Sequence, residues 1–338
     1  MEPELTTVAD DEAVVHVGAE VRRYRGLTPA MAYDLDGVAV TTLPRPAGKL
    51  LAVVATVNDV HFGETECGVV EGTDIGPVLR CEPGEPPYPE TMNAAAIAEM
   101  AALRHRRGPD AVVAKGDLTT HGTTEEYGLF LDHYQAAFGD RLLHVRGNHD
   151  AQAEDAFADC STQEVALDGV VLAVLDTTIP GRHSGALSAA QLEWLDELGA
   201  RADRPVLVFG HHHPWDPGSA HRPADYFGIN PDDSEGLVDV LARRPRLAAY
   251  FAGHTHRNRR RRFAALPRTP IVEVASVKDF PGSWAEYRVF EGGVLQVHRR
   301  VSSAAALAWT NRTRAMFEGA YAAYSFGAIE DRCFALTW

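Results

Sequence analysis

The chain has 338 residues, is 45% hydrophobic, and carries 32 Lys+Arg against 47 Asp+Glu, a formal net charge of −15. That length and apolar content suffice for a large buried core. The acidic balance argues against a nucleic-acid polymer as partner, since phosphate contacts need a basic face. It also repels anionic substrates unless cations offset it locally. The first twenty residues, MEPELTTVADDEAVVHVGAE, contain no long apolar run. No leader is expected there, and no stretch approaches a membrane span. The expectation is a cytoplasmic protein with no membrane partner. The four cysteines, Cys67, Cys81, Cys160 and Cys333, are scattered and form no C-x-x-C pair, so no zinc ribbon or redox motif is visible.

Residues 1–47 hold two short β-rich runs, AVVHVGAEVRRY and AYDLDGVAVTTL. They predict a β-hairpin extension in front of the main fold. From Leu50 onward, apolar β-branched runs recur: LLAVVATVND, DAVVAKGD, RLLHVRGNHD, VVLAVLDTT, PVLVFGHHH, LAAYFAGHTH and PIVEVAS. Near-continuous apolar runs predict strands buried on both faces. Helical segments lie between several of them. PETMNAAAIAEMAALRHRRG is Ala-rich and closes on basic residues, which suits a helix C-terminus. Thr123-x-x-Glu126 and Ser188-x-x-Gln191 have the spacing of capping boxes. Strand and helix in alternation predict an α/β fold with stacked sheets over residues 48–301. The tail, 302–338, places apolar and aromatic residues at helical spacing and is expected to pack on that domain. Such a tail suits core packing or a subunit interface, so a homodimer is among the expectations. The run RNRRRR, Arg257 to Arg262, is expected as a solvated strand edge.

Five predicted strands end in polar, metal-competent residues. These ends are Asn58-Asp59-Val60-His61, Gly116-Asp117, Gly147-Asn148-His149-Asp150, Gly210-His211-His212-His213-Pro214-Trp215 and Gly253-His254-Thr255-His256. Ligands of open α/β sheets bind at the carboxyl ends of strands. Turns alone call for Gly, Asn, Asp and Pro, not repeated His. Imidazole and carboxylate suit Zn, Mn and Fe. In Asp59-x-His61, alternation along a strand would put both side chains on one side, and His254-x-His256 has the same spacing. With Asp117, Asn148 and one His of the triple, seven ligands result. Seven exceeds one transition metal and fits two ions sharing a bridging carboxylate, a device for in-line displacement at phosphorus.

The ordered set D-x-H, G-D, G-N-H-D, H-x-P and G-H-x-H resembles the calcineurin-like metallophosphoesterase superfamily over about residues 50–300. GDLTTHGTTEEY and LDTTIPGRHSGALSAAQLEWL are similar to segments of its bacterial cyclic-nucleotide phosphodiesterase branch. HHPW is also similar to purple acid phosphatases, but Thr120 stands where those carry their chromophoric Tyr. The resemblance implies a two-sheet αββα sandwich and two divalent or trivalent transition-metal ions (Mn, Fe or Zn). It implies that Asp59, His61 and His256 hold the first ion, that Asp117 bridges, and that Asn148, His212 and His254 hold the second. His212 is chosen by counting back from Pro214; His211 is the alternative. His149 is implied to face the substrate as general acid, with Asp150 orienting its ring. The implied activity is hydrolysis of a small phosphodiester, such as a cyclic nucleotide, by hydroxide held between the ions. The alternatives are a phosphomonoesterase (nucleotidase or protein phosphatase) and a non-catalytic scaffold.

Overall fold

The computed structural model describes residues 2–69, 72–103, 108–153 and 157–338. The N-terminal segment holds five strands, not one hairpin. Strands β1 (Glu4–Val8), β2 (Glu12–Val17) and β3 (Glu20–Arg25) form an antiparallel sheet, and β4 (Ala32–Leu35) pairs with β5 (Val38–Thr41). The reason is local. Each β-rich run contains its own turn, with positive φ at Gly18 in the first and at Asp36 and Gly37 in the second, so each run folds back on itself.

The chain continues through β6 (Leu50–Val57), α1 (Tyr88–Ala101) and β7 (Ala111–Lys115). The basic close expected for α1, residues 104–107, lies outside the described residues. Helix α2 (Thr124–Phe130) runs through a π turn into the short α3 (Ala136–Phe138), followed by β8 (Leu142–Val145). Next come β9 (Thr162–Leu167), β10 (Val170–Leu175), α4 (Ala189–Arg201), β11 (Val206–Gly210), α5 (Pro231–Arg243) and β12 (Leu247–Ala252). The chain then forms β13 (Arg259–Arg261), β14 (Ile271–Glu273), β15 (Ser283–Phe290) and β16 (Gly293–Arg300). The tail contains α6 (Ala304–Thr313), α7 (Ala320–Phe326) and α8 (Ile329–Arg332), and closes in a strand, β17 (Phe334–Thr337). Both capping boxes form: Thr123 and Glu126 cap α2, and Ser188 and Gln191 cap α4.

Two six-stranded sheets result, ordered β17-β16-β15-β6-β7-β8 and β13-β14-β12-β11-β10-β9. They face each other across an apolar layer that includes Val54, Val113, Leu172, Phe209, Phe251 and Tyr287. One outer face packs against α1, α2 and the tail through Met92, Phe130 and Trp309. The other packs against α4 and α5 through Leu195, Leu198, Leu237 and Leu241. This is the stacked αββα arrangement. Strands β6, β7 and β8 run parallel, as do β10, β11, β12 and β14. Their carboxyl ends therefore share one rim. The RNRRRR run contributes the edge strand β13, and Arg257 and Arg261 pair with the buried Glu273.

No helix among the described residues is long and apolar enough to cross a membrane. The N-terminal sheet is latched to strands β15 and β16 by buried charge. Glu286 receives both Arg288 (2.8 Å) and Arg299 (2.6 Å), while Arg288 reaches Asp10 (2.7 Å) and Arg299 reaches Glu12 (2.9 Å).

Candidate metal centre

Three loops after parallel strands are zipped together by their backbones. Following β6, the amides of Asp59, Val60, His61 and Phe62 donate to the carbonyls of Gly116, Asp117, Asp117 and Leu118 after β7. Asp150, in the loop after β8, staples the third loop to these. Its carboxylate accepts from the amides of Leu118 (3.0 Å), Thr119 (2.8 Å) and Gly147 (2.7 Å) and from Thr119 Oγ1 (2.7 Å). Burial and the charge of Asp117 push the Asp150 carboxyl up to about 6, against those donors. The second sheet joins through Lys115, fully buried, whose Nζ donates to Ala252 O (2.8 Å); within that sheet the Gly253 amide donates to His211 O and ties its two loops together.

At this rim the structure gathers two groups of donors. In one, Asp59, His61, Asp117 and His256 each present a ligand atom within 4.8 Å of the others; in the second, His211, His212 and His254 do the same. Asp117 touches both groups. Its Oδ2 lies 3.5 Å from His61 Nε2 and 3.3 Å from His211 Nε2. Strand alternation, the sequence expectation, does not explain the D-x-H and H-x-H pairs. Each pair lies beyond the end of its strand, and His254 and His256 fall in different groups. The backbone does the aiming. Asp59, His61, Asp117, His254 and His256 all have φ between 48° and 67°. For residues other than Gly this left-handed conformation stores about 1–3 kcal/mol each and marks sites held by their surroundings.

Counting from Pro214 selects His212; both it and His211 belong to the second group, and His211 is the one that lies against the Asp117 carboxylate. His211 Nε2 lies 3.2 Å from Asn148 Oδ1, and its Nδ1 donates to Lys115 O (2.8 Å). Room for that ring comes from two glycines. A Cβ on Gly116 would stand 2.6 Å from His211 Nδ1, and one on Gly147 would stand 2.8 Å from His211 Cε1 and 2.2 Å from Asp117 Oδ1. The His212 ring stays beside that of His254 (4.5 Å between centroids), but both its nitrogens have partners, Thr177 Oγ1 (2.8 Å) and His183 O (3.2 Å). His213 packs on Tyr226.

Asp150 does not orient the His149 ring, contrary to the sequence expectation; among the described residues its carboxylate bonds to the loops. His149 Nδ1 instead donates to Thr120 O (2.8 Å), and its ring lies 4.6 Å from that of His61. Sequence reasoning also passed over His183. Its Nδ1 accepts from Asn148 Nδ2 (3.3 Å), beside His149. The only signal was a His in the loop after β10, too weak alone.

The donor set fits a pair of cations. Both ring nitrogens of His61 and Nε2 of His254 are buried without a hydrogen-bond partner, a costly state unless something else binds them. Burial lowers the pKa of His61, His212 and His254 well below the ordinary value, and His61 and His254 are left as neutral imidazoles with free lone pairs. Burial also acts to lower His211 and His256, but Asp117 and Asp59 outweigh it and raise them to about 9 and about 10. The Asp59 and Asp117 carboxylates thus attract positive charge at this rim, and Asp117 does so where the two groups meet.

Fold and site together define a two-sheet scaffold carrying a metal-binding rim. The profile of calcineurin-like phosphoesterases matches residues 52–258, and the chain belongs to that family. A cAMP/cGMP dual specificity phosphodiesterase of Mycobacterium tuberculosis is 33% identical over 180 residues, 50% of this chain and 54% of that protein. A glycerophosphodiester phosphodiesterase of Enterobacter lignolyticus is 30% identical over 195 residues, 52% of this chain and 68% of that protein. The chain thus matches between about half and two thirds of the length of these relatives. A dimetal phosphatase from Danio rerio superposes with a TM-score of 0.56 at 18% identity, over 75% of this chain and 97% of that one. Purple acid phosphatase from yellow lupin superposes at 0.52 and 13%, over 84% and 60%. Both share the fold.

Proposed function

We propose that the protein is a dinuclear-metal-dependent phosphodiesterase acting on a small phosphodiester, with a cyclic nucleotide as the leading candidate. The observation that carries this reading is the meeting of two ligand groups at the Asp117 carboxylate, with buried, unpartnered imidazole nitrogens on both sides. Asp59, His61 and His256 would hold one ion, Asn148, His211 and His254 the other, with Asp117 shared. The set is nitrogen and oxygen only, which suits Mn, Fe or Zn. When bound, such a pair of ions supplies an activated water and neutralises charge on the phosphoryl oxygens.

The chain's own residues supply the rest. His149 has its Nδ1 occupied by Thr120 O, so its Nε2 is the atom that holds or delivers a proton at the substrate. It is half-buried beside His61, where a leaving oxygen would emerge. Delivery of a proton there spares the expulsion of an alkoxide. His183, exposed and next to Asn148, adds a second imidazole at the mouth. The names of the relatives, which include phosphodiesterases of cyclic nucleotides and of glycerophosphodiesters, support a diester over a monoester. The complete ligand set speaks against a scaffold that has lost its chemistry.

The test is turnover by manganese-loaded protein on 3′,5′-cyclic AMP, bis(p-nitrophenyl) phosphate and p-nitrophenyl phosphate. The reading expects hydrolysis of the diesters above the monoester. Turnover of the monoester alone would move the assignment to a phosphomonoesterase.

A further inference from the structure

The aromatic C-terminal segment reaches the metal centre through one buried carboxylate. Asp279 lies in the segment between β14 and β15 and is 2% exposed. Its two oxygens have separate tasks. Oδ1 accepts from Ser276 Oγ (2.6 Å) and from the hydroxyl of Tyr321 in α7 (2.7 Å). Oδ2 faces His256 Nδ1 at 3.4 Å, with Lys278 Nζ at 3.8 Å and the Cys67 thiol donating from 3.9 Å. Two hydroxyls on one oxygen fix the plane of the carboxylate, and so aim the other at the ring.

That ring is a member of the first ligand group. With Nδ1 donating to Asp279, the lone pair of His256 is on Nε2, which lies 3.5 Å from Asp59 Oδ1. A carboxylate on the far nitrogen of a metal-binding imidazole sets its tautomer and orientation and raises its basicity. Lys278 is held in turn by Glu64, at 2.7 and 2.5 Å to its two oxygens, and its carbonyl accepts from Trp309 Nε1 (2.8 Å) in α6. Tyr321 is itself 3% exposed, with its ring edge against Phe317. The tail is therefore more than a cover for the outer sheet face.

Resting on the metal-centre reading above, we infer that Asp279 is a positioning residue for His256, and that Tyr321, from the C-terminal segment, sets its aim and thereby the affinity of the ion that His256 helps to hold. The tail then belongs to the metal centre as much as to the core.

The experiment is manganese titration of the full chain, with free Mn(II) followed by electron paramagnetic resonance, for wild type, Tyr321→Phe and Asp279→Asn. Thermal unfolding is recorded on the same samples. Wild type is expected to take up two ions. Asp279→Asn should weaken one of them by about 10–100-fold and leave the other unchanged. Tyr321→Phe keeps the ring and loses one hydroxyl; it should weaken the same ion by roughly five-fold, the size of one net hydrogen bond. If Asp279→Asn does not fold, Ser276→Ala, which removes the other hydroxyl on Oδ1, takes its place with the same five-fold expectation. Two ions bound by the variants with wild-type affinity, whatever happens to the unfolding temperature, would overturn the inference and leave the metal-centre reading intact. A wild-type chain that binds no manganese would overturn both.

Discussion

His211 Nε2 lies 3.3 Å from Asp117 Oδ2, while Nδ1 of the same ring donates to the carbonyl of Lys115, two residues before that aspartate. One imidazole is thus bound at its back to the end of β7 and at its front to the Asp117 carboxylate that follows it. His212 has neither contact.

Alanine at His211 should therefore reduce metal content more than alanine at His212. Both changes remove one imidazole, so the comparison isolates direction. Elemental analysis after manganese loading and desalting reads it. Loss confined to the His212 variant would return the assignment to the position counted from Pro214.

The choice between His211 and His212 marks the limit of what could be read from the sequence. The paired strands and the polar strand ends were legible because apolar runs and repeated His are local patterns. Which His of three adjacent ones turns inward was not. It depends on missing side chains at Gly116 and Gly147, positions far from residue 211 in the chain. Strands β15 and β16 escaped notice for a related reason. They carry Glu286, Arg288, Arg299 and Arg300, all buried, and paired charges in a core strand break the apolar pattern on which strand reading depends. Asp279 and Tyr321 meet across 42 positions of sequence, and no local motif announces such a contact. The five left-handed residues of the site were equally silent, since Asp and His at φ near 50° look in sequence like Asp and His anywhere.

His149→Ala should keep both metal ions while turnover falls by about 10²–10⁴-fold on a substrate with an alkyl or ribose leaving group. On bis(p-nitrophenyl) phosphate, whose leaving group departs without protonation, the loss should be much smaller. Steady-state rates on the two substrates make the comparison. Equal losses would assign His149 to holding the phosphoryl group; loss of metal would make it a ligand.

The ion cluster under the N-terminal sheet predicts an acid-sensitive fold. Burial acts to raise the Glu286 carboxyl, but Arg299 and Arg288 outweigh it and hold it at about 2. A carboxyl depressed in the folded state stabilises at pH above its unfolded value of about 4.5, and that contribution fades as pH falls toward 2. The amount is on the order of 3 kcal/mol. Wild type should lose stability steeply below about pH 4.5. Glu286→Gln should be less stable at neutral pH, with a flatter slope in acid. Urea unfolding midpoints at pH 7 and pH 3.5 for both chains check this; parallel slopes would remove Glu286 from the account.

The central claim is a two-ion centre joined by Asp117, and metal stoichiometry tests it most directly. Wild-type protein saturated with manganese and freed of excess should contain two ions per chain. Asp117→Ala should fall below one, because both groups lose their shared ligand. A wild-type value that stays at one or below under saturating metal, or an Asp117→Ala protein that still carries two, would contradict the account.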